Sequence, residues 1–273
     1  MNGKELIQAG RLKEARQQLV AEVKAAPSDP GKRTLLFQAL AFCGEWDKAE
    51  THLEVIAAQD VKAEVGVTLY KNLLAAERER EAVLALQRLP AILPEAPPYL
   101  DAYLAARRKL EAKEVEEATD LYRQVDSQRP RVSGNADGAP FDDLRDTDAF
   151  LEFFLEAVVH DHYVWIPFES VRELSIPAPK TLMDLLWTTA RVTTGEGLVM
   201  NCCLPVLYPG SCRHADDRVR LGRMTDWAPL GGPFSQGAGQ HVFQVGEAEK
   251  AILEIRELAF DPPQAGERDA RDD

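Results

Sequence analysis

Three short stretches gather reactive or ligating residue types. Cys202, Cys203, Cys212 and His214 offer thiol and imidazole ligands close together in the chain. Zinc needs four convergent N or S donors, usually two of them from one C-x₂₋₄-C knuckle. Cys202 and Cys203 are adjacent, and on a strand adjacent side chains leave opposite faces, so the pair is poorly placed to share one ion. They read as small apolar or surface residues. His160-Asp161-His162 sets a carboxylate between two imidazoles, the ingredients of an oriented base. No nucleophile matches it, because Gly210-Ser211-Cys212 lacks the G-x-S-x-G elbow, and a solvated turn is the simpler reading. Gly231–Gly239 resembles a phosphate loop in glycine content only. It lacks the Gly-Lys-Ser/Thr ending, and no helix follows to offer its N-terminus. No catalytic residue, cofactor or metal is expected. Trp165, Trp187 and Trp227 sit in apolar contexts and read as core, with a peptide-binding surface as the lesser alternative.

The secondary structure around these residues differs between the two halves of the chain. In the first half, Gly10, Ala15 and Leu19 return as Gly44, Ala49 and Leu53, each 34 residues later. That is the tetratricopeptide period, a helix, a tight turn and a second helix per unit. Glycine frees the turn backbone, the small alanine lets helices approach, and the leucine one turn on fills the gap. Pro27 follows the second helix of the first unit. Glu77–Val83 occupies the next turn region without a glycine. Pro90 and Pro94 bracket a connection, Pro97-Pro98 can open a helix carrying Tyr99, Tyr103 and Arg107, and Glu116–Tyr122 looks like the second helix of a fourth unit. The pattern predicts eight helices within residues 1–128.

Residues 129–140, rich in Gly, Asn, Asp and Pro, mark a boundary between two separable units. Beyond it, Asp146–Val159 reads as one amphipathic helix with an acidic first turn. Tyr163–Pro167 reads as a strand, and Pro179–Trp187 as the start of a helical turn. Strand-like runs follow at 190–194, 197–208, 219–227, 240–245 and 251–260, spaced as in a small antiparallel sheet or barrel. The fold class is therefore α+β. A tetratricopeptide-like helical repeat domain spans 1–128, a linker 129–140, and a small, mainly antiparallel β domain with short helices 141–262. A polar, disordered tail occupies 263–273.

The chain has 273 residues, 45% of them apolar, which suffices for a sizeable core. Its formal charge of −13 disfavours wrapping a nucleic-acid backbone or coating an anionic membrane. Four cysteines in a chain of this length do not make a disulfide scaffold. The N-terminal segment is charged and amphipathic, with no apolar leader, and no apolar run is long enough to span a bilayer. A soluble, reducing, cytoplasmic setting is expected.

Seven motifs, in order, carry a family resemblance: Asp146-Thr147-Asp148, Tyr163–Phe168, Leu182–Trp187, Leu204–Gly210, Met224–Trp227, Gly237–Gln240 and Leu253–Phe260. Together with the helical first half they resemble the ImpE/SciE family, also called TagJ, over nearly the whole chain. The sequence departs from the family pattern at His160–His162, where a Gly-Arg-type turn precedes the tyrosine, and at His241, where the pattern has Arg. The resemblance implies an accessory protein of bacterial type VI secretion, without catalysis. Its implied partner is the N-terminal helix of the small contractile-sheath subunit, TssB, with the ClpV unfoldase acting nearby. Overlaying the repeats on Ala15 and Ala49 gives groove-facing positions for such a helix at Lys4, Ile7, Thr34, Gln38, Phe42, Thr68, Asn72, Tyr103 and Arg107. Two alternatives stay open: a general tetratricopeptide adaptor or chaperone-like regulator, and a hydrolase using His162 or His214 as base.

Overall fold

In a computed structural model that describes residues 1–262, Gly10 and Gly44 close the first two helical turns. α1 (Gly3–Gln8) and α2 (Leu12–Ala25) form one hairpin, α3 (Pro30–Phe42) and α4 (Trp46–Gln59) the next. Both glycines sit at positive φ, +75° and +68°. In each turn the residue after the glycine donates its amide back to the last helical turn, Arg11 to Leu6 O and Glu45 to Leu40 O. This is the left-handed helix stop that favours glycine. The repeat positions Ala15, Leu19, Ala49 and Leu53 are all buried. α3 starts with Pro30 in its first turn and Asp29 as the cap, its carboxylate accepting from the Lys32 amide.

The third unit departs from the sequence reading. Residues 77–83 are not a turn but lie inside α5 (Glu64–Leu84), which follows a 3₁₀ turn at Val61–Ala63. Nothing in Glu77–Val83 stops a helix, and Glu77 and Arg80 find partners in the second half of the chain that hold it. The stop comes at Leu86, at φ +54°, with no glycine to signal it. After β1 (Ala91–Ile92), α6 (Leu100–Glu111) and α7 (Val115–Gln128) make the last hairpin, with Lys113 in the left-handed position. The N-terminal half thus holds seven α-helices and one 3₁₀ turn.

The boundary segment is structured. The residues read as a linker form β2 (Gly134–Ala136) and the start of β3 (Ala139–Phe141), a hairpin whose turn is Asp137-Gly138. Asp-Gly is a strong two-residue hairpin signal, and here it marks a strand pair, not a flexible joint. Asp146–Val159 is not a helix either. β4 (Leu144–Asp146) is followed by a turn and by β5 (Phe154–Val159). Phe154 to Val158 are all buried, so the run is covered on both faces, as in a central strand. Periodicity alone does not separate that pattern from a buried helix.

The remaining elements are β6 (His162–Pro167), β7 (Val171–Ser175), β8 (Trp187–Thr194), β9 (Val199–Pro205), α8 (Asp217–Arg220), β10 (Asp226–Gly231), β11 (Phe234–Ala238), β12 (Val242–Val245), β13 (Ala248–Ala251) and β14 (Glu257–Phe260). Nine strands form one sheet in the order β1-β6-β5-β9-β8-β7-β14-β2-β3, antiparallel except where β1 meets β6. β4, β12 and β13 form a second sheet, and β10 and β11 a hairpin. The run 219–227, read as a strand, is the end of α8, a turn and the start of β10. The fold is α+β, and one hydrophobic cluster runs through both halves. Tyr103 of α6 packs on Phe153, Phe154 and Trp165, and Tyr122 of α7 on Phe234. The expected tail at 263–273 lies outside the described residues. No described helix is long and apolar enough to cross a membrane.

Candidate partner-binding surface and the polar centre behind it

The candidate chemistry of the sequence is dispersed. Cys202 and Cys203 are both buried on β9, and burial pushes the Cys202 thiol up to about 12. Cys212 sits in the 3₁₀ turn Ser211–Arg213, against Gly44. His214 lies 3.2 Å from Asp226 instead. Among the described residues no group of three or more His, Cys, Asp and Glu side chains is arranged to hold a metal. His160 and Asp161 are the exposed two-residue turn between β5 and β6. His160 adopts φ +59°, a conformation that favours glycine.

The glycines of 231–239 let the β10–β11 hairpin pack closely on α7 and on Tyr208. A Cβ on Gly231 would meet Val115 at 2.8 Å, and one on Gly237 would meet the Tyr208 ring at 2.4 Å. Trp165 is buried, and Trp187 packs on Trp46 and Tyr70 between the halves. Trp227 is partly exposed, with its ring 5.6 Å from Tyr208.

A buried polar centre that the sequence did not announce joins the helices to the sheets. Arg80 of α5 donates to Glu156 of β5 through Nε at 2.9 Å and Nη2 at 2.5 Å, and also to Leu207 O. Glu77 lies beside Arg80 and accepts from Trp187 Nε1 at 2.8 Å. Tyr163 donates to Glu156 and accepts from Trp165 Nε1. His241 bridges Asp146 at 2.7 Å and approaches Glu156 at 3.1 Å, and Tyr208 donates to Asp146.

Burial works against each charge here. Arg80 nonetheless keeps its proton, because Glu156 and Glu77 outweigh burial, and Glu156 is held well below the usual carboxylate range, chiefly by Arg80. For His241 burial is outweighed by Asp146 and Glu156, which hold it at about 9. Burial, with the Asp146 charge, raises Asp148 to about 7. The adjoining cavity, lined by Phe42, Trp46, Tyr208 and Ser211 among others, has a volume of about 30 Å³, room for a water and not for a substrate. The centre therefore fixes α5 against the sheets. The signal for it was a lone Glu156 inside an apolar run, a charge that needs a partner when buried.

The groove positions read from the repeats fall into two groups. Ile7, Phe42, Tyr103 and Arg107 are buried. Phe42 lines the small cavity, Tyr103 packs on the sheet, and the Arg107 guanidinium lies 4.9 Å from the centre of the Phe150 ring. Lys4 and Thr68 are exposed, and Thr34, Gln38 and Asn72 are half-buried. Among the described residues, none of these five side chains makes a hydrogen bond to another protein group.

Helical hairpins packed on a β-sheet half, around a polar centre with every carboxylate partnered, define a helical-repeat α+β protein without an assembled catalytic constellation among the described residues. Residues 138–259 match the model of the family described as ImpE protein. The chain is 35% identical, over 97% of its length and 93% of the relative's, to the type VI secretion system accessory component TagJ of Pseudomonas aeruginosa. A crystal structure of a Vibrio parahaemolyticus protein superposes with a TM-score of 0.85 at 22% identity, covering 95% of this chain and 97% of that one, and shares the fold. The chain belongs to the ImpE family of type VI secretion accessory components.

Proposed function

We propose that the chain is a non-enzymatic, cytoplasmic accessory of the contractile sheath. It binds the N-terminal helix of the small sheath subunit, TssB, and so modulates sheath assembly or ClpV-linked disassembly. The observation that supports a binding role is the set of accessible, unengaged polar side chains on α1, α3 and α5: Lys4, Thr34, Gln38, Thr68 and Asn72. Helical repeats present such side chains on one continuous face, and an amphipathic helix is the ligand such a face accommodates. Ile7, Phe42, Tyr103 and Arg107 are buried and stand outside that accessible set.

The test is titration of the full chain with a synthetic peptide of the TssB N-terminal helix, followed by fluorescence anisotropy. Saturable binding, weakened about tenfold or more in a Gln38→Ala/Asn72→Ala double variant of unchanged thermal stability, is expected. No saturable binding of the peptide to the full chain would refute the reading.

A further inference from the structure

Val61, Val65 and Leu69 form an exposed apolar row along one side of α5 and the 3₁₀ turn before it. They are 81%, 83% and 43% exposed, whereas Leu73, the next residue of the row, is buried. Within α5 a spacing of four places Val65, Leu69 and Leu73 on one helix face, beside Thr68 and Asn72, and Val61 lies in the 3₁₀ turn that leads into it. Two valines exposed to this degree in line with a leucine are an apolar surface without a cover.

The row leads into a cleft of about 520 Å³ between α5 and the open face of the nine-stranded sheet. Leu69 and Leu73 form its helical wall. Its floor holds Val158 and Cys203, which face each other across β5 and β9, and Arg191 opposite Asn201 across β8 and β9. Arg191 is exposed, and no carboxylate among the described residues lies within 4 Å of its guanidinium.

We propose that this cleft and the row at its mouth receive one amphipathic helix of a partner protein, which brings a carboxylate to Arg191. Three observations set the occupant's chemistry. α5, β8 and β9 satisfy their backbone groups internally, so the cleft offers no free strand edge. The occupant must therefore satisfy its own backbone, as a helix does. The lining is mainly apolar, with His160, Ser175 and Thr189 among it, so the docked face is mainly apolar with a few polar positions. The unpaired guanidinium on the floor is complemented by Asp or Glu and repels Lys or Arg. From Val65 to Leu73 the row is about 12 Å long at 1.5 Å per residue, about two turns of a partner helix.

The inference rests on the sheath-helix reading for the partner's identity and assigns that helix its seat, with Thr68 and Asn72 at the edge of the contact. The test uses the full chain in two arms. In the first, a TssB N-terminal helix peptide is titrated against wild type, Leu69→Asp and Arg191→Glu, with circular dichroism as the folding control. Both substitutions are at exposed positions. Each should weaken binding about tenfold or more. Reversing one peptide carboxylate to lysine should restore binding to Arg191→Glu. In the second, a photo-crosslinking amino acid replaces Val65 in the native host, and adducts are mapped by mass spectrometry to residues of the partner. The adducts should fall on the sheath subunit's first helix.

Peptide binding that survives both substitutions within twofold would overturn the cleft and leave the sheath reading standing. Failure of the peptide to bind, with Val65 adducts mapped to one acidic amphipathic helix of another secretion component, would support the cleft and overturn the sheath reading. Absence of both binding and adducts would overturn both.

Discussion

Replacing Arg80 by methionine should destabilise the whole chain, because Arg80 is the cation that makes two buried carboxylates tolerable. Arg80→Met keeps most of the apolar stem and removes the charge. Glu156 would lose two hydrogen bonds, at 2.9 and 2.5 Å, and Leu207 O would lose its donor. Glu156 would keep Tyr163 and the nearby His241, and Glu77 would keep Trp187. Removing one partner of a buried ion pair costs about 3–5 kcal/mol, because the surviving charge stays buried. The remaining partners put the expected cost at the lower end, about 3 kcal/mol. For a chain of this size that lowers the Tm by roughly 6–12 °C.

Because one hydrophobic cluster spans both halves, urea unfolding followed by far-ultraviolet circular dichroism should remain a single transition with an unchanged slope and a lower midpoint. Glu156→Gln in the Arg80→Met background should recover part of the loss, giving a favourable coupling energy in the double-mutant cycle. A single variant within 1 kcal/mol of wild type would refute the reasoning. So would two separate transitions in the wild-type protein.

Four further outcomes follow from the same structure. His241 is held at about 9 against an ordinary value of 6.5, so its contribution is whole below pH 6.5 and is lost as pH rises through 9. The urea midpoint should therefore fall between pH 7 and 9.5 in wild type and stay flatter in His241→Arg, whose cation does not titrate there; equal slopes would count against it. Gly44→Ala must place a side chain at φ +68° and only 2.6 Å from the Cys212 sulfur, and should cost about 1–3 kcal/mol by the same urea assay. An isolated 1–128 fragment would expose Tyr103, Tyr122 and Arg107, all buried in the intact chain. Its helical signal per residue should fall below that of the same segment in the full chain, with cooperative unfolding lost. Elemental analysis of protein purified without chelator should find no stoichiometric zinc; one zinc per chain, lost in Cys212→Ser, would contradict the dispersed placement of the thiols.

Features that depend on neighbours a few residues apart were legible in the chain alone. The repeated Gly, Ala and Leu at the same period fixed the first two hairpins, because a left-handed stop and a tight helix contact each need a particular residue in a particular place. Alternating and turn-bounded runs marked β6, β8, β9 and β12, and the seven ordered motifs marked the family. Tertiary structure alone decided the features whose cause lies far along the chain. Phe154–Val158 became a strand because it is covered on both faces, a condition its local pattern shares with a buried helix. Residues 77–83 stayed helical with partners for Glu77 and Arg80 more than seventy residues away. The groove positions separated into exposed and buried because the sheet half covers one side of the helices, which no repeat period records. A local pattern reports which face of an element is apolar; the protein's remaining chain decides what covers that face, and the row Val61, Val65 and Leu69 is where it left an apolar face open.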